Sequence, residues 1–325
     1  MPDPVMSPAS QGKETARASE PLQNVPKTAQ FVPHDKPILR RGGKIVNAMS
    51  VDVEDYFQVQ AFANNISRDS WDSRECRVEA NTDRILAIFD DAGIKATFFT
   101  LGWVAERYPL LVRRIVDQGH ELASHGHAHF RADEQTPDAF RDDISRTKKT
   151  LEDTGGTAVT GYRAATFSIG AKNLWSFDVL REAGYAYSSS VNPIHHDFYG
   201  MPDAPRFAFL PDGEAGLEEF PITTLRLGNK NLPCGGGGFF RLLPYPVSRW
   251  AMRRVNRMDG QPCIFYFHPW EVDPDQPRVP NISAKTRFRH YLNLGRMETR
   301  LRALTRDFAW DRMDRVFGKG DMGHQ

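Results

Sequence analysis

Three imidazoles fall within the run His125-Gly126-His127-Ala128-His129, directly after an apolar run that ends in Glu121-Leu122-Ala123-Ser124. Imidazole is a neutral nitrogen ligand near pH 7, so a cluster of this kind suits a divalent metal ion. Positions i and i+4 share one face of a helical turn. That makes His125 and His129 the expected pair and leaves His127 pointing elsewhere. A second polar cluster, Asp52-Val53-Glu54-Asp55, closes the apolar run Ile45 to Val51. Two imidazoles and a carboxylate make a three-ligand site with positions open for water and substrate, the arrangement that zinc favours in catalysis. A further carboxylate beside the ion is free to act as a general base on bound water. Alone, the histidine run also fits a His-rich surface turn, and the acidic run a solvated strand end. The pairing of the two carries the metal reading.

Two more residues fit the same chemistry. Arg163 follows the strand-like Val159 to Tyr162 and can hold a carboxylate base ionised through a charge-assisted hydrogen bond. His268 closes Cys263-Ile264-Phe265-Tyr266-Phe267 and can pass a proton to a leaving group. An ordinary ion pair and a satisfied core histidine are the plainer alternatives. Asp52, His125, Arg163 and His268 each sit just past the end of an expected strand. In a parallel barrel those ends converge on one face, where active sites are built.

The elements that would position them alternate. Ile45–Val51, Ala96–Thr100, the short run into His125, Val159–Tyr162, Tyr185–Val191 and Cys263–Phe267 read as strands. Between them lie helices. One carries Ile85, Leu86 and Phe89, capped by Asn81 or Thr82 and stopped near Gly93. Another opens at Pro109 and stops at Gly119, and a third runs from Thr136-Pro137 to Gly155-Gly156. A fourth spans Leu174 to Glu182. Strands alternating with helices at this rhythm predict parallel βα units and an α/β fold. Residues 192–244 are irregular and rich in Pro and Gly, and residues 283–306 read as one long, basic, amphipathic last helix. The expected division is a disordered tail over 1–43, interrupted by seven prolines from Pro2 to Pro37, and a single domain over 44–317 with a C-terminal extension from about 192. Phe31-Val32 is the one pair in the tail able to anchor it.

Composition narrows the class. Lys and Arg number 42 against 41 Asp and Glu, so there is no basic footprint for nucleic acid. No stretch approaches the ~18 apolar residues of a membrane-spanning helix. Three cysteines, Cys76, Cys234 and Cys263, have no metal-type spacing and suit a reducing compartment. The N-terminus lacks the basic-then-apolar order of a secretory leader. A cytoplasmic location is the expectation, with peripheral contact to the inner membrane face offered by Lys285, Arg287, Arg289, Arg296, Arg300, Arg302 and Arg306. A solvated helix face explains the same residues.

These motifs resemble the NodB-type polysaccharide deacetylases, carbohydrate esterase family 4. The nearest likeness is to the branch found in exopolysaccharide loci alongside exosortase (PEP-CTERM) systems. Ser50 to Phe57 is similar to that branch's first motif and Ser124 to His129 to the two-histidine metal motif. Gly161-Tyr162-Arg163 resembles the arginine motif and Phe265 to Glu271 the last histidine motif. The resemblance covers roughly residues 45–310. It implies a distorted seven-stranded (β/α) barrel, a divalent metal with zinc favoured, and hydrolysis of N-acetyl groups on a polysaccharide or lipid-linked glycan precursor in exopolysaccharide biosynthesis. Carried over, Asp52 is the base, His125 and His129 are metal ligands, Arg163 orients the base and His268 is the acid. The third ligand falls on Glu54 in relatives with an Asp-x-acid pattern. Asp55 competes, because a twisting or bulged strand end can present either.

Two departures stand out. The arginine motif usually reads Arg-x-Pro and here is Arg163-Ala164-Ala165. The aspartate that many relatives place before a Ser-Ser pair, and that helps fix the acid histidine, is Ser188 in Ser188-Ser189-Ser190. They motivate a second reading, a weakened deacetylase acting as a glycan-binding component. A third is an amidohydrolase for small amides or imides on the same barrel. Sugar rings need stacking surfaces, for which Tyr56, Phe57, Phe239 and Trp270 are the main candidates, with Trp103, Phe198 and Tyr199 beside them, though most large aromatics are core. Gly235-Gly236-Gly237-Gly238 is not a phosphate loop. It reads as a close approach of polymer to backbone or as a flexible turn. His195-His196-Asp197 reads as a loop feature.

Overall fold

The computed structural model describes residues 31–318 apart from 197, 198, 212, 214 and 215. Its centre is β1, Lys44–Val53, whose residues from Ile45 onward are all buried. A strand buried on both faces must be covered by other elements on each side, as in parallel α/β folds. The strands that follow are β2 (Thr97–Thr100), β3 (Glu121–Ser124), β4 (Gly161–Tyr162), β5 (Tyr187–Ser188), β6 (Glu218–Glu219) and β7 (Ile264–Phe267). They line up in parallel in the order β7-β1-β2-β3-β4-β5-β6. These are the seven strands of the expected barrel. No ladder joins β6 to β7 among the described residues. Thr223 Oγ1 reaches into that gap and accepts from Ile264 N at 2.6 Å, and Gly236 bridges to Tyr266.

The helices pack outside. Among them are α1 (Val78–Asp91), α2 (Pro109–Asp117), α3 (Pro137–Gly155) and α4 (Trp175–Glu182), followed by α5 (Gly237–Leu242), α6 (Ala284–Tyr291) and α7 (Leu294–Asp307). Pro109 sits in the first turn of α2. Thr136 caps α3 by accepting from Ala139 N, and Gly156 closes it in the left-handed region at φ 64°. Phe140, Ile144 and Leu151 face inward as the spacing predicts.

Several expectations change. Neither Asn81 nor Thr82 caps α1: the helix starts at Val78, and its first N–H groups are taken by the carboxylate of Asp55. The single basic helix over 283–306 is two helices, α6 and α7, broken where Asn293 adopts φ 54°. The chain then adds a strand, Ala309–Asp311, parallel to the first half of β1, and a short helix, Met313–Phe317. The irregular region contains β6 and a hairpin, Thr224–Leu227 with Lys230–Pro233. Residues 31–43, expected within a disordered tail, are attached. Phe31 is buried against Phe209 with ring centroids 4.7 Å apart, and Val32–Pro33 pairs with Phe209–Leu210. Residues 1–30 lie outside the described part. No helix among the described residues is long and apolar enough to cross a membrane.

Candidate active site

Asp52 is the penultimate residue of β1, and Glu54 follows its end. His125 follows β3, Arg163 follows β4 and His268 follows β7. The parallel register brings these ends to one rim.

His125 and His129 do meet, but not on a helical turn. The segment is a loop that reverses through two left-handed residues, Gly126 at φ 74° and His129 at φ 52°. A non-glycine residue held there costs energy and persists where its surroundings demand it. Arg68 supplies part of that hold, donating to the carbonyls of Ala128 and His129 at 2.8 and 2.9 Å. His125 Nδ1 lies 2.8 Å from the carbonyl of Arg163, which leaves Nε2 for a ligand. Burial lowers the His125 imidazole to about 4, so it stays neutral and ready to coordinate. His127 turns away from the pair, with Nε2 3.8 Å from Glu106.

Glu54 joins the two histidines. One ligand atom from each of Glu54, His125 and His129 can lie within 4.8 Å of the others, and all three residues are buried. Glu54 Oε2 is 3.0 Å from His129 Nε2, yet no donor is aimed at it with hydrogen-bond geometry. A buried carboxylate oxygen without a donor is costly unless a cation takes its lone pair. Burial alone would raise this carboxyl, but His129, His268 and His125 together hold it at about 2. The donor set fits a divalent ion, with both nitrogen and oxygen ligands free to converge.

Asp55 does not point at the histidines. Its Oδ2 accepts from Arg77 N and Val78 N at 2.6 and 2.8 Å, and its Oδ1 accepts from Tyr56 N at 2.8 Å. Burial lifts this carboxyl to about 6 against those three donors. It caps the start of α1 and stands outside the group formed by Glu54, His125 and His129.

Asp52 is fixed by Arg163. Nη1 donates to Asp52 Oδ1 at 2.6 Å and to Ser50 Oγ at 2.9 Å, while Nε and Nη2 donate to Ser189 O and Oγ at 3.1 and 3.0 Å. The guanidinium is fully buried and lies 4.0 Å from the centre of the Phe99 ring. Asp52 Oδ2 is left facing His268 Nε2 at 3.9 Å. His268 Nε2 is also 3.6 Å from Glu54 Oε1. Burial would lower the His268 imidazole, but Glu271, Glu54 and Asp52 outweigh it and hold it near 9.

The candidate sugar platforms fare unevenly. Tyr56 and Phe57 are core residues, 3% and 1% exposed, and cannot offer a ring face. Phe57 lines a cleft of about 290 Å³ together with Arg68, Trp71 and His129. Trp270 stacks on His268 at 5.1 Å and donates Nε1 to Glu54 Oε1 at 3.3 Å, so it walls the site. Phe239 is half-buried on α5. Trp103 is buried under Arg107, Tyr199 stacks on His196, and Phe198 and Asp197 lie outside the described residues. Ser188, at the place of the missing aspartate, bonds Ser190 Oγ at 2.8 Å. The group that reaches His268 is Glu271, which the sequence reading quoted within a motif without giving it a role. An acid three residues past a histidine that ends a strand is a capping-box spacing, and that was the available signal.

A three-ligand donor set, a carboxylate bound by a buried arginine and a histidine opposite it lie together on the rim of a parallel barrel, the parts that a metal-dependent hydrolase needs. Residues 69–188 match the Polysaccharide deacetylase family, and residues 189–318 match a Domain of unknown function (DUF3473). Residues 69–188 are thus similar to polysaccharide deacetylases, and the chain continues from them into that second region. It is 29% identical over 120 residues to a peptidoglycan deacetylase of Helicobacter pylori, covering 37% of this chain and 39% of the relative. It is 35% identical over 77 residues to a peptidoglycan-N-acetylglucosamine deacetylase of Bacillus cereus, covering 24% and 28%. The chain thus spans well under half the length of either. In fold it is similar to the crystal structure of a provisionally assigned polysaccharide deacetylase from Mycobacterium smegmatis, with TM-score 0.55, 17% identity, and 88% and 93% of the two chains covered.

Proposed function

We propose that this protein hydrolyses N-acetyl groups of a polysaccharide in a metal-dependent reaction, with zinc the favoured ion and exopolysaccharide or its lipid-linked precursor as the substrate class. The observation that carries the reading is the convergence of Glu54, His125 and His129 beside the Asp52–Arg163 pair. Glu54, His125 and His129 would hold a divalent ion, which would supply Lewis-acid polarisation of the acetyl carbonyl and a lowered pKa of water.

The chain's own residues do the rest. Asp52 accepts a proton from the attacking water through Oδ2, while Arg163 occupies Oδ1 and fixes the carboxylate plane. His268 Nε2, on the other side of the open space, gives a proton to the amine nitrogen as the C–N bond breaks. The products are acetate and a free amino sugar. Trp270 shields Glu54 and His268 from water on one side. Relatives named as peptidoglycan and chitooligosaccharide deacetylases support an N-acetylhexosamine polymer as the substrate.

The test is acetate release from a panel of N-acetylated glycans, with a small-amide series alongside, before and after chelation and after zinc is restored. Chelator-sensitive, zinc-restored release from at least one glycan is expected. Release from small amides alone would replace this reading with an amidohydrolase. Tight glycan binding without product at saturating zinc would replace it with a binding protein.

A further inference from the structure

Glu271 is completely buried, and so is its partner Arg241, at 0% and 2% exposure. Arg241 Nε donates to Glu271 Oε2 at 2.6 Å. The rest of the guanidinium is spent on backbone, donating to the carbonyls of His290, Leu292 and Arg289 at 2.9, 2.7 and 3.3 Å. A buried ion pair recovers its desolvation cost poorly, so stability alone is a weak reason for one. The second carboxylate oxygen shows where this one acts. Glu271 Oε1 lies 2.8 Å from His268 Nδ1 and accepts from His268 N at 3.1 Å.

The surroundings are shaped to allow this. A Cβ on Gly237 would sit 2.3 and 2.5 Å from the two Glu271 oxygens. Only glycine at the start of α5 lets that helix, which carries Arg241, come so close. Gly235 and Gly236 are equally constrained: their Cβ atoms would meet Ile264 O at 2.4 Å and the Tyr266 ring at 2.8 Å. Both contacts are on β7, the strand that leads into His268. The glycine run is therefore a packing surface for β7 and Glu271. The imidazole plane is fixed as well, because Trp270 stacks on His268 at 16° and on His290 at 14° from its other face.

Resting on the deacetylase reading above, we propose that Glu271, clamped by Arg241 in the space left by Gly237, is the positioning residue that holds His268 with Nδ1 protonated and Nε2 aimed at the leaving nitrogen. A carboxylate accepts only from a protonated Nδ1, so Nε2 is the nitrogen that exchanges its proton during the reaction. That proton goes to the amine as the C–N bond breaks, and His268 regains one from solvent. Glu271 takes the place that Ser188 leaves unfilled. Gly237, Arg241, His268 and Glu271 lie in the region matched by the domain of unknown function, whose contribution to the site is the acid half.

The test compares two substrates that differ in their need for an acid, using zinc-loaded protein. N-acetylglucosamine oligomers must have the leaving amine protonated; 4-nitrophenyl acetate leaves as a stable phenolate. Glu271→Gln should lower kcat on the oligomers ~10–100-fold with KM nearly unchanged, and leave aryl ester hydrolysis within about twofold. Glu271→Asp should recover part of the loss. In a His268→Ala background Glu271→Gln should cost nothing further, since the two act as a unit. Equal losses on both substrates, or additive losses in the double variant, would overturn the proposal. Side-chain nitrogen NMR of the wild-type histidines decides the matter even if Glu271→Gln fails to fold or the protein deacetylates no glycan. A proton on His268 Nδ1 is expected, and an unprotonated Nδ1 would refute it. Absence of glycan turnover by the wild type, with that proton in place, would count against the deacetylase reading alone.

Discussion

Glu54 and Asp55 are adjacent in the chain and divide two jobs that either carboxylate could do. One faces the histidines with a buried oxygen that no donor satisfies; the other is consumed by three backbone N–H groups at the start of α1. Their variants should separate cleanly. Glu54→Gln should weaken zinc binding by at least about tenfold, with little change in melting temperature of the metal-free protein. Asp55→Ala should leave zinc stoichiometry intact and cost ~1–2 kcal/mol, the worth of a helix cap. Isothermal titration with zinc and thermal melts check both, and a loss of zinc affinity in Asp55→Ala alone would reverse the assignment. The sequence narrowed the third ligand to these two and could go no further. The choice depends on where a strand end twists and on a helix start twenty-odd residues away, neither of which a local pattern encodes.

At the scale of elements, the glycine run makes a sharp prediction because its members are not equivalent. Gly237→Ala forces a Cβ into the Glu271 carboxylate, and overpacking of this kind costs ~1–3 kcal/mol. Gly238 has nothing within 4 Å of its would-be Cβ. Gly238→Ala in the same helix should be neutral or stabilising by up to ~1 kcal/mol. Urea melts of the two variants distinguish this from a flexible-turn role, in which both would behave alike. Strand β6 offers a second test. Burial raises the Glu219 carboxyl from its ordinary 4.5 to about 7, although Ser190 N and Val191 N donate to it. Between those two values the folded protein holds a proton that the unfolded chain has released, so this residue makes stability fall as pH rises through the window. Glu219→Gln should flatten that fall by no more than ~3 kcal/mol, as measured by urea melts at pH 5 and pH 8. An unchanged slope would contradict it. β6 itself was invisible in the sequence, since Glu218-Glu219 is two charged residues long and has no apolar run. β1, β2, β3 and β7 were legible because strands buried on both faces are largely apolar at their centres. The break between α6 and α7 was missed because Asn293 sits inside an otherwise helical pattern.

For the whole molecule, β1 and the two matched regions together build one barrel. Residues 44–188 hold β1 to β5; β6, β7, Arg241, His268 and Glu271 come from the remainder. Cores confirm the dependence: Phe265, Phe267 and Trp310 pack in one cluster with Met49, Val51, Phe89 and Phe98. A chain ended at residue 188 would expose that cluster and should not fold. Loss of near-ultraviolet circular dichroism and of zinc binding is expected, and a cooperative melt of the truncated chain would contradict this account. The resemblance of motifs made the barrel and its rim residues readable from sequence. It did not reveal how the second region supports them, because Glu271 and Arg241 are brought together by packing and not by spacing.

The most direct test of the central claim is acetate release by Asp52→Asn at matched, measured zinc content. Asparagine can keep a contact with Arg163 and leaves the three ligands untouched, but it cannot take a proton from water. The account predicts zinc bound at the wild-type level and acetate release lower by at least ~100-fold. Undiminished release by the zinc-loaded variant would contradict it.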